Sequence, residues 1–165
     1  MDPERELREP RVAYEDVPTA QNQMRLASAL LEAGAAEEAA RTYQACLKGP
    51  FAADVEICFG AARAFVECQR YVEAISHLET IRNTDPESRA EAVSILLARC
   101  YAGVSRKGEA RNEFESVVTR FGSFEARAEY AIWALAIGDM ATAARLQTEI
   151  DRTARKWTPP CAHAE

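Results

Sequence analysis

Histidine is almost absent from this 165-residue chain: there are two, His77 and His163. Neither stands at metal-ligand spacing with a cysteine or with the other, so no zinc site is expected. The sequence has no HExxH, no GxGxxG, no GxxxxGK[ST] and no GxSxG, which removes the common metal, nucleotide and nucleophile-elbow signatures. Acids such as Glu37, Glu38 and Glu129 read as solvated helix faces. The expectation is a protein that is not an enzyme and that needs no cofactor and no metal. No apolar run reaches 18 residues, so no transmembrane helix is expected. The start, MDPERELREP, is too charged for a signal peptide. With a net charge of −6, the chain lacks the basic footprint of a nucleic-acid binder and repels an anionic membrane surface. Five cysteines are present without any CxxC. Cys46, Cys58, Cys68 and Cys100 fall in helical patterns, where a free thiol behaves as a small hydrophobe. Reduced thiols in a cytoplasmic protein are the expectation, with a disulfide or thiol-redox role as the alternative. Cys161, near the C-terminus, is the one expected to be exposed.

Glycine and proline are also scarce, at seven each, against 48% hydrophobic residues. That is an all-helical profile. What is abundant is alanine in register. Leu26 to Leu47 reads LASALLEAGAAEEAARTYQACL: an apolar run, a glycine turn, then a second amphipathic run. Gly34 is placed to end the first helix with φ > 0. Ala39 follows five residues later, and Tyr43 lies on its helix face. The register returns at Ala74, Ala110 and Ala143, at spacings of 35, 36 and 33 residues. The first helices agree: Leu26-Ala27-x-x-Leu30, Ala61-Ala62-x-x-Phe65, Leu97-Ala98-x-x-Tyr101 and Tyr130-Ala131-x-x-Ala134. Such a period means stacked helical hairpins, each burying its apolar face on its neighbours.

On these residues the chain resembles the tetratricopeptide repeat family, whose repeat is about 34 residues. The resemblance spans roughly residues 20–157. It implies an all-α, right-handed superhelical solenoid of about four helix-turn-helix units with a C-terminal capping helix. The departures are specific. The signature tryptophan of the first helix is missing, the turn glycine is Gln69 in the second unit and Ser105 in the third, and the closing proline survives as Pro86.

The predicted units are about 20–53, 54–87, 88–122 and 123–157, within a repeat domain 19–157. Residues 1–18 form a lead-in, a short helix or partly ordered, because Pro10 should interrupt a longer one. Asp2-Pro3-Glu4 starts it, and Val12, Tyr14 and Val17 supply apolar contacts to the first unit. Thr19 caps the next helix. Gly49-Pro50-Phe51 and Phe121-Gly122-Ser123 are turns. The last helix caps the solenoid with a polar outer face of Arg145, Gln147, Thr148, Asp151, Arg152 and Arg155. Trp157 packs on the fourth unit or marks a contact site. Residues 158–165, which open with Thr158-Pro159-Pro160, are expected to be a disordered tail.

In tetratricopeptide repeats the first helix of each unit lines a concave face that contacts ligands. The resemblance therefore implies a groove lined by Met24, Ser28, Phe59, Arg63, Ile95, Arg99, Ile132 and Leu135. Arg63 and Arg99 occupy equivalent positions one unit apart and suit a carboxylate. Phe59, Ile95, Ile132 and Leu135 give an apolar floor. Met24 and Ser28 replace the Lys and Asn of the co-chaperone carboxylate clamp, so a chaperone tail is not the expected ligand. The alternative is that both arginines pair internally with Glu67, Glu56 or Glu129.

The function expected is a non-enzymatic protein-interaction module that binds a peptide or protein segment with an acidic group in the concave groove. A self-associating scaffold, a homo-oligomer through the solenoid end or Trp157, is the alternative. The runs DPERELRE, PTAQN, GPFAAD and FGSFEARAEYA are also similar to the soluble part of a bacterial tetratricopeptide family that often follows a hydrophobic module of the phospholipase D nuclease or cardiolipin synthase type. That resemblance implies a cytoplasmic domain, in the full-length protein tethered to the inner membrane, and a regulatory role beside a phospholipid-related protein as a further alternative.

Overall fold

The computed structural model describes residues 3–157, with side chains placed from residue 6 to residue 155. Asp2, Cys161, His163, the side chain of Trp157 and the tail 158–165 lie outside the described residues. Among the described residues the chain forms nine α-helices and no strand: α1 (Pro3–Asp16), α2 (Ala20–Glu32), α3 (Ala36–Cys46), α4 (Val55–Glu67), α5 (Tyr71–Thr84), α6 (Ala90–Gly103), α7 (Lys107–Phe121), α8 (Phe124–Ala136) and α9 (Met140–Trp157). The helices pair as α2–α3, α4–α5, α6–α7 and α8–α9, and each pair packs on the next. The first helices also touch in a row, α2 to α4 to α6 to α8. That row is one wall of an all-α repeat solenoid.

The alanine register is the packing register. Ala39, Ala74 and Ala110 are fully buried and Ala143 nearly so. The residues of the first-helix signature, from Leu26, Ala27 and Leu30 to Tyr130, Ala131 and Ala134, are buried in all four units. A small side chain at these positions lets helix axes approach to about 8–10 Å. Gly60 on α4 extends the logic, since a Cβ there would overlap the ring of Tyr43 on α3. Side chains of the first three units merge into one large cluster, whereas Phe114, Tyr130 and Leu146 centre a smaller one at the fourth.

Each hairpin turns through the same backbone motif. The second residue past the helix is left-handed at Gly34 (φ 81°), Gln69 (58°), Ser105 (62°) and Gly138 (78°). The amide that follows donates back to a carbonyl five residues earlier, from Ala35 to Leu30, Arg70 to Phe65, Arg106 to Tyr101 and Asp139 to Ala134, at 2.8–2.9 Å. This is the Schellman closure, which satisfies carbonyls at a helix C-terminus. Side-chain caps open other helices. Thr19 Oγ1 accepts from the Asn22 amide, Asp54 Oδ1 from Ile57 and Ser123 Oγ from Ala126. The Gly49-Pro50-Phe51 turn is a short 3-10 segment.

The lead-in differs from expectation. It is one 14-residue helix that runs through Pro10. Proline removes one backbone donor, and the carbonyl it leaves without that donor belongs to Glu6, which is exposed to solvent. Tertiary contacts hold the rest. Leu7 and Tyr14, one heptad apart, pack on the main core, and Arg11 pairs with Glu38 of α3 at 3.0 Å. The helix thus covers the N-terminal end of the solenoid by packing on α2. At the other end, Arg145, Gln147, Thr148, Asp151, Arg152 and Arg155 lie on α9, all of them exposed.

Candidate functional site

Burial on α4 leaves little for solvent. Eight of its residues are buried, and Glu56, Arg63 and Glu67 remain exposed along one stripe. On α6 the exposed side chain of the same row is Arg99. The row of first helices therefore presents these few charges above an apolar floor.

Two adjoining cavities, each about 460 Å³, open on this wall. The first brings Arg63 and Arg99 together with Glu67, over Leu31, Val66 and Leu96. The second shares Val66, Glu67 and Arg99 with it and continues to Tyr71, Glu129, Ile132 and Trp133. Gly103 makes room for the Tyr71 ring, which a Cβ would overlap. Trp133 is fixed from behind by Phe114 and Tyr130, with ring centroids at 5.4 and 6.0 Å, and by the Arg111 guanidinium 5.7 Å from its ring centre.

The internal pairing that was the alternative for the two arginines is only partly made. Arg99 Nε lies 3.9 Å from Glu129 Oε2, a long contact between part-exposed groups, the kind worth little. Glu56 is taken instead by Arg89, which grips it through two bonds of 3.0 and 2.7 Å. Those bonds hold the Glu56 carboxyl below its usual range. Neither Arg63 nor Glu67 makes a salt bridge among the described residues; the Arg63 charge reaches Tyr43 through space, slightly offsetting the rise that burial imposes on that phenol.

The remaining groove residues expected from sequence are spread out. Ile132 lines the second cavity and is 64% exposed. Phe59 lies beneath the Arg89 guanidinium, 4.8 Å from the ring centre. Ile95 is 4% exposed, packs with Val117 and Ala126, and edges a separate hollow with Arg89 and Glu125. Met24 packs on the main core, and Ser28 partly offsets the rise that burial imposes on the Tyr43 phenol. Leu135 is 54% exposed and lines neither cavity.

Leu31, Val66, Leu96, Tyr71 and Trp133 were not anticipated from sequence. Trp133 was within reach: on α8 the groove side runs through Glu129, Ile132, Trp133 and Ala136, one position round the helix from the expected Leu135. Tyr71 opens a second helix, which the first-helix rule ignores.

Burial raises the pKa of all four described thiols, Cys46, Cys58, Cys68 and Cys100. Burial pushes Cys46 up to about 11 and Cys100 to about 12, so both stay protonated. Among the described residues no group of three His, Cys, Asp or Glu side chains is arranged to hold a metal ion. No described helix is long and apolar enough to cross a membrane.

Comparison with known proteins gives part of the chain a family. Residues 30–100 match the tetratricopeptide repeat family. No protein of curated function matches the sequence. Among solved structures, MamA residues 41-end from Desulfovibrio magneticus RS-1 is 17% identical, with TM-score 0.82 over 95% of this chain and 88% of that one. TTC0263, a thermophilic tetratricopeptide protein of Thermus thermophilus, is 16% identical, with TM-score 0.72 over 92% and 82%. YrrB, described as having an unusual peptide-binding site, is 17% identical, with TM-score 0.66 over 88% and 75%. At such identities the likeness is one of fold. The chain carries tetratricopeptide repeats over residues 30–100 and continues the same fold on both sides.

Proposed function

We propose that this protein is a non-enzymatic interaction module that holds a peptide segment of a partner protein along the row α2–α4–α6–α8, with an acidic group of the partner between Arg63 and Arg99. The observation that carries this reading is the first cavity, where two guanidiniums from successive units share one hollow and one of them lacks a salt bridge. Guanidiniums suit a carboxylate because their paired N–H donors match its two oxygens. The apolar floor of Leu31, Val66 and Leu96 lowers the local dielectric and strengthens such a contact. That α1 packs at the end of the solenoid also supports an open groove. The buried, protonated thiols fit a reducing compartment, and we place the module in the cytoplasm.

The test is capture of partners by the purified protein, with Arg63→Glu/Arg99→Glu as the comparison. A partner bound by the wild type should lose at least about tenfold in affinity, with helicity and melting unchanged. Equal binding by both proteins sinks the groove mechanism.

A second reading, self-association through the C-terminal end, is favoured by one observation. Phe124, Leu135 and Met140 are 59%, 54% and 64% exposed there. Sedimentation at high micromolar concentration tests it, and a monomer counts against it.

A further inference from the structure

The two cavities differ in sign. In the first, Arg63 and Arg99 outnumber Glu67; in the second, Glu67 and Glu129 outnumber Arg99. The change is built into α4, whose exposed stripe presents Arg63 and, one turn on, Glu67, neither in a salt bridge. The Arg-before-Glu order is the weaker arrangement for an i,i+4 pair, so both charges stay available. The second cavity is also where the aromatic rings lie. Tyr71 and Trp133 line it, and Trp133 is held in place by Phe114 and Tyr130. Aromatic surface with carboxylates beside it fits a side chain whose stem is aliphatic and whose tip is a cation.

Building on the groove reading above, we infer that the ligand is an extended segment with two opposite charges: an acidic residue at Arg63 and Arg99, and a lysine or arginine about three residues away in the second cavity. The basic residue lays its methylenes on Trp133 and Tyr71 and its charge between Glu67 and Glu129. The interval follows from the fold. The cavities lie about one helix spacing apart, roughly 9 Å, and extended chain covers about 3.3 Å per residue. The same sign change sets which end of the segment lies toward the fourth unit.

A peptide array decides it. Acetylated decapeptides carry a fixed central glutamate, with each of the twenty residues scanned three positions before and three after it and the remainder randomised. The purified full chain is the probe. Lysine and arginine should be retained over leucine by roughly threefold or more at one of the two scanned positions, and glutamate and aspartate should be disfavoured there. Glu67→Gln/Glu129→Gln should reduce that basic preference to the level of leucine and leave the need for the central glutamate intact; circular dichroism verifies that the variant keeps its helix content. Leucine, methionine or phenylalanine outranking lysine and arginine overturns the inference, as does an unchanged basic preference in the variant. A required central glutamate with no basic preference defeats the two-charge ligand while leaving the groove reading standing. A dispensable glutamate, or no retained peptide, overturns both.

Discussion

The two outer turns and the two middle turns of this solenoid have the same backbone and reach it by different means. Gly34 and Gly138 adopt the left-handed conformation without a Cβ to obstruct it. Gln69 and Ser105 adopt it against a penalty of about 1–2 kcal/mol each. The residue that follows shows what offsets the penalty. Arg70 lays its guanidinium 4.8 Å from the centre of the Phe65 ring, and Arg106 does the same over Tyr101. Each is then held by a glutamate three residues on, Arg70 by Glu73 at 2.9 Å and Arg106 by Glu109 at 3.0 Å. Phe65 and Tyr101 are the residues whose carbonyls close these two turns, so each arginine clamps the motif from its side-chain side. The outer turns have Ala35 over Leu30 and Asp139 over Ala134 instead, and no such clamp. A glycine is thus one of two routes to the same turn.

The sharpest way to break the comparison is to remove the glycines. Gly34→Ala and Gly138→Ala meet open space around the new Cβ, so the whole effect is backbone strain. Each should lower stability by about 1–2 kcal/mol, read as a fall in urea midpoint with unchanged slope. An effect near zero would mean that the outer turns tolerate a Cβ as the middle ones do, and the two routes would not be distinct.

The converse substitution sharpens it. Gln69→Gly and Ser105→Gly should stabilise by about 0.5–1 kcal/mol each, the strain relieved less the entropy that glycine adds to the unfolded chain. For a chain of this length that is roughly 1–4 °C in Tm. A loss of stability would mean that strain is absent at these sites or that the side chains make contacts worth more than it.

The same turns show how far the sequence alone reaches. The period, the hairpins and the buried alanines were legible, because each rests on spacing along one helix face. Gln69 and Ser105 were legible only as departures, since the arginine that offsets them acts through a ring five residues back. Arg63 and Arg99 were legible as a pair because one repeat separates them. The partner of Glu56 was not, because Arg89 is a left-handed residue before α6 (φ 49°), outside any repeat position. Phe59 and Ile95 read as groove floor, yet one is roofed by Arg89 and the other drawn inward by Val117 and Ala126. Pro10 read as a break because propensity is local, whereas Leu7 and Tyr14 hold α1 from outside it.

A smaller effect tests the clamp directly. Arg106→Ala removes the cover on Tyr101 and the partner of Glu109 and should lower Tm by less than Gly34→Ala does. In the Ser105→Gly background the same change should cost less again, because the turn then no longer depends on the arginine. Equal losses in the two backgrounds, measured by thermal denaturation as a double-mutant cycle, would separate the clamp from the turn.

The smallest effect distinguishes the two outer turns from each other. Gly34 is followed by Ala35, which has no charge, whereas Gly138 is followed by Asp139. Asp139 caps α9 by accepting from the Thr142 amide at 3.1 Å and also receives Arg111 of α7 at 2.8 Å. The Arg111 bond, then the Thr142 bonds, pull its pKa from 3.8 to about 2. A carboxyl depressed on folding contributes stability that is present above its unfolded value and is lost as pH falls through the folded one. The window is therefore about pH 4 down to 2. Asp139→Asn keeps the shape and removes the titration, so wild type and variant should differ most above about pH 4 and converge toward about pH 2. Hydrogen exchange of the first-turn amides of α9 reads this locally. A difference that persists undiminished to the acid end of that window would mean that the side chain acts by packing, and the turn after Gly138 would then be no different in kind from the turn after Gly34.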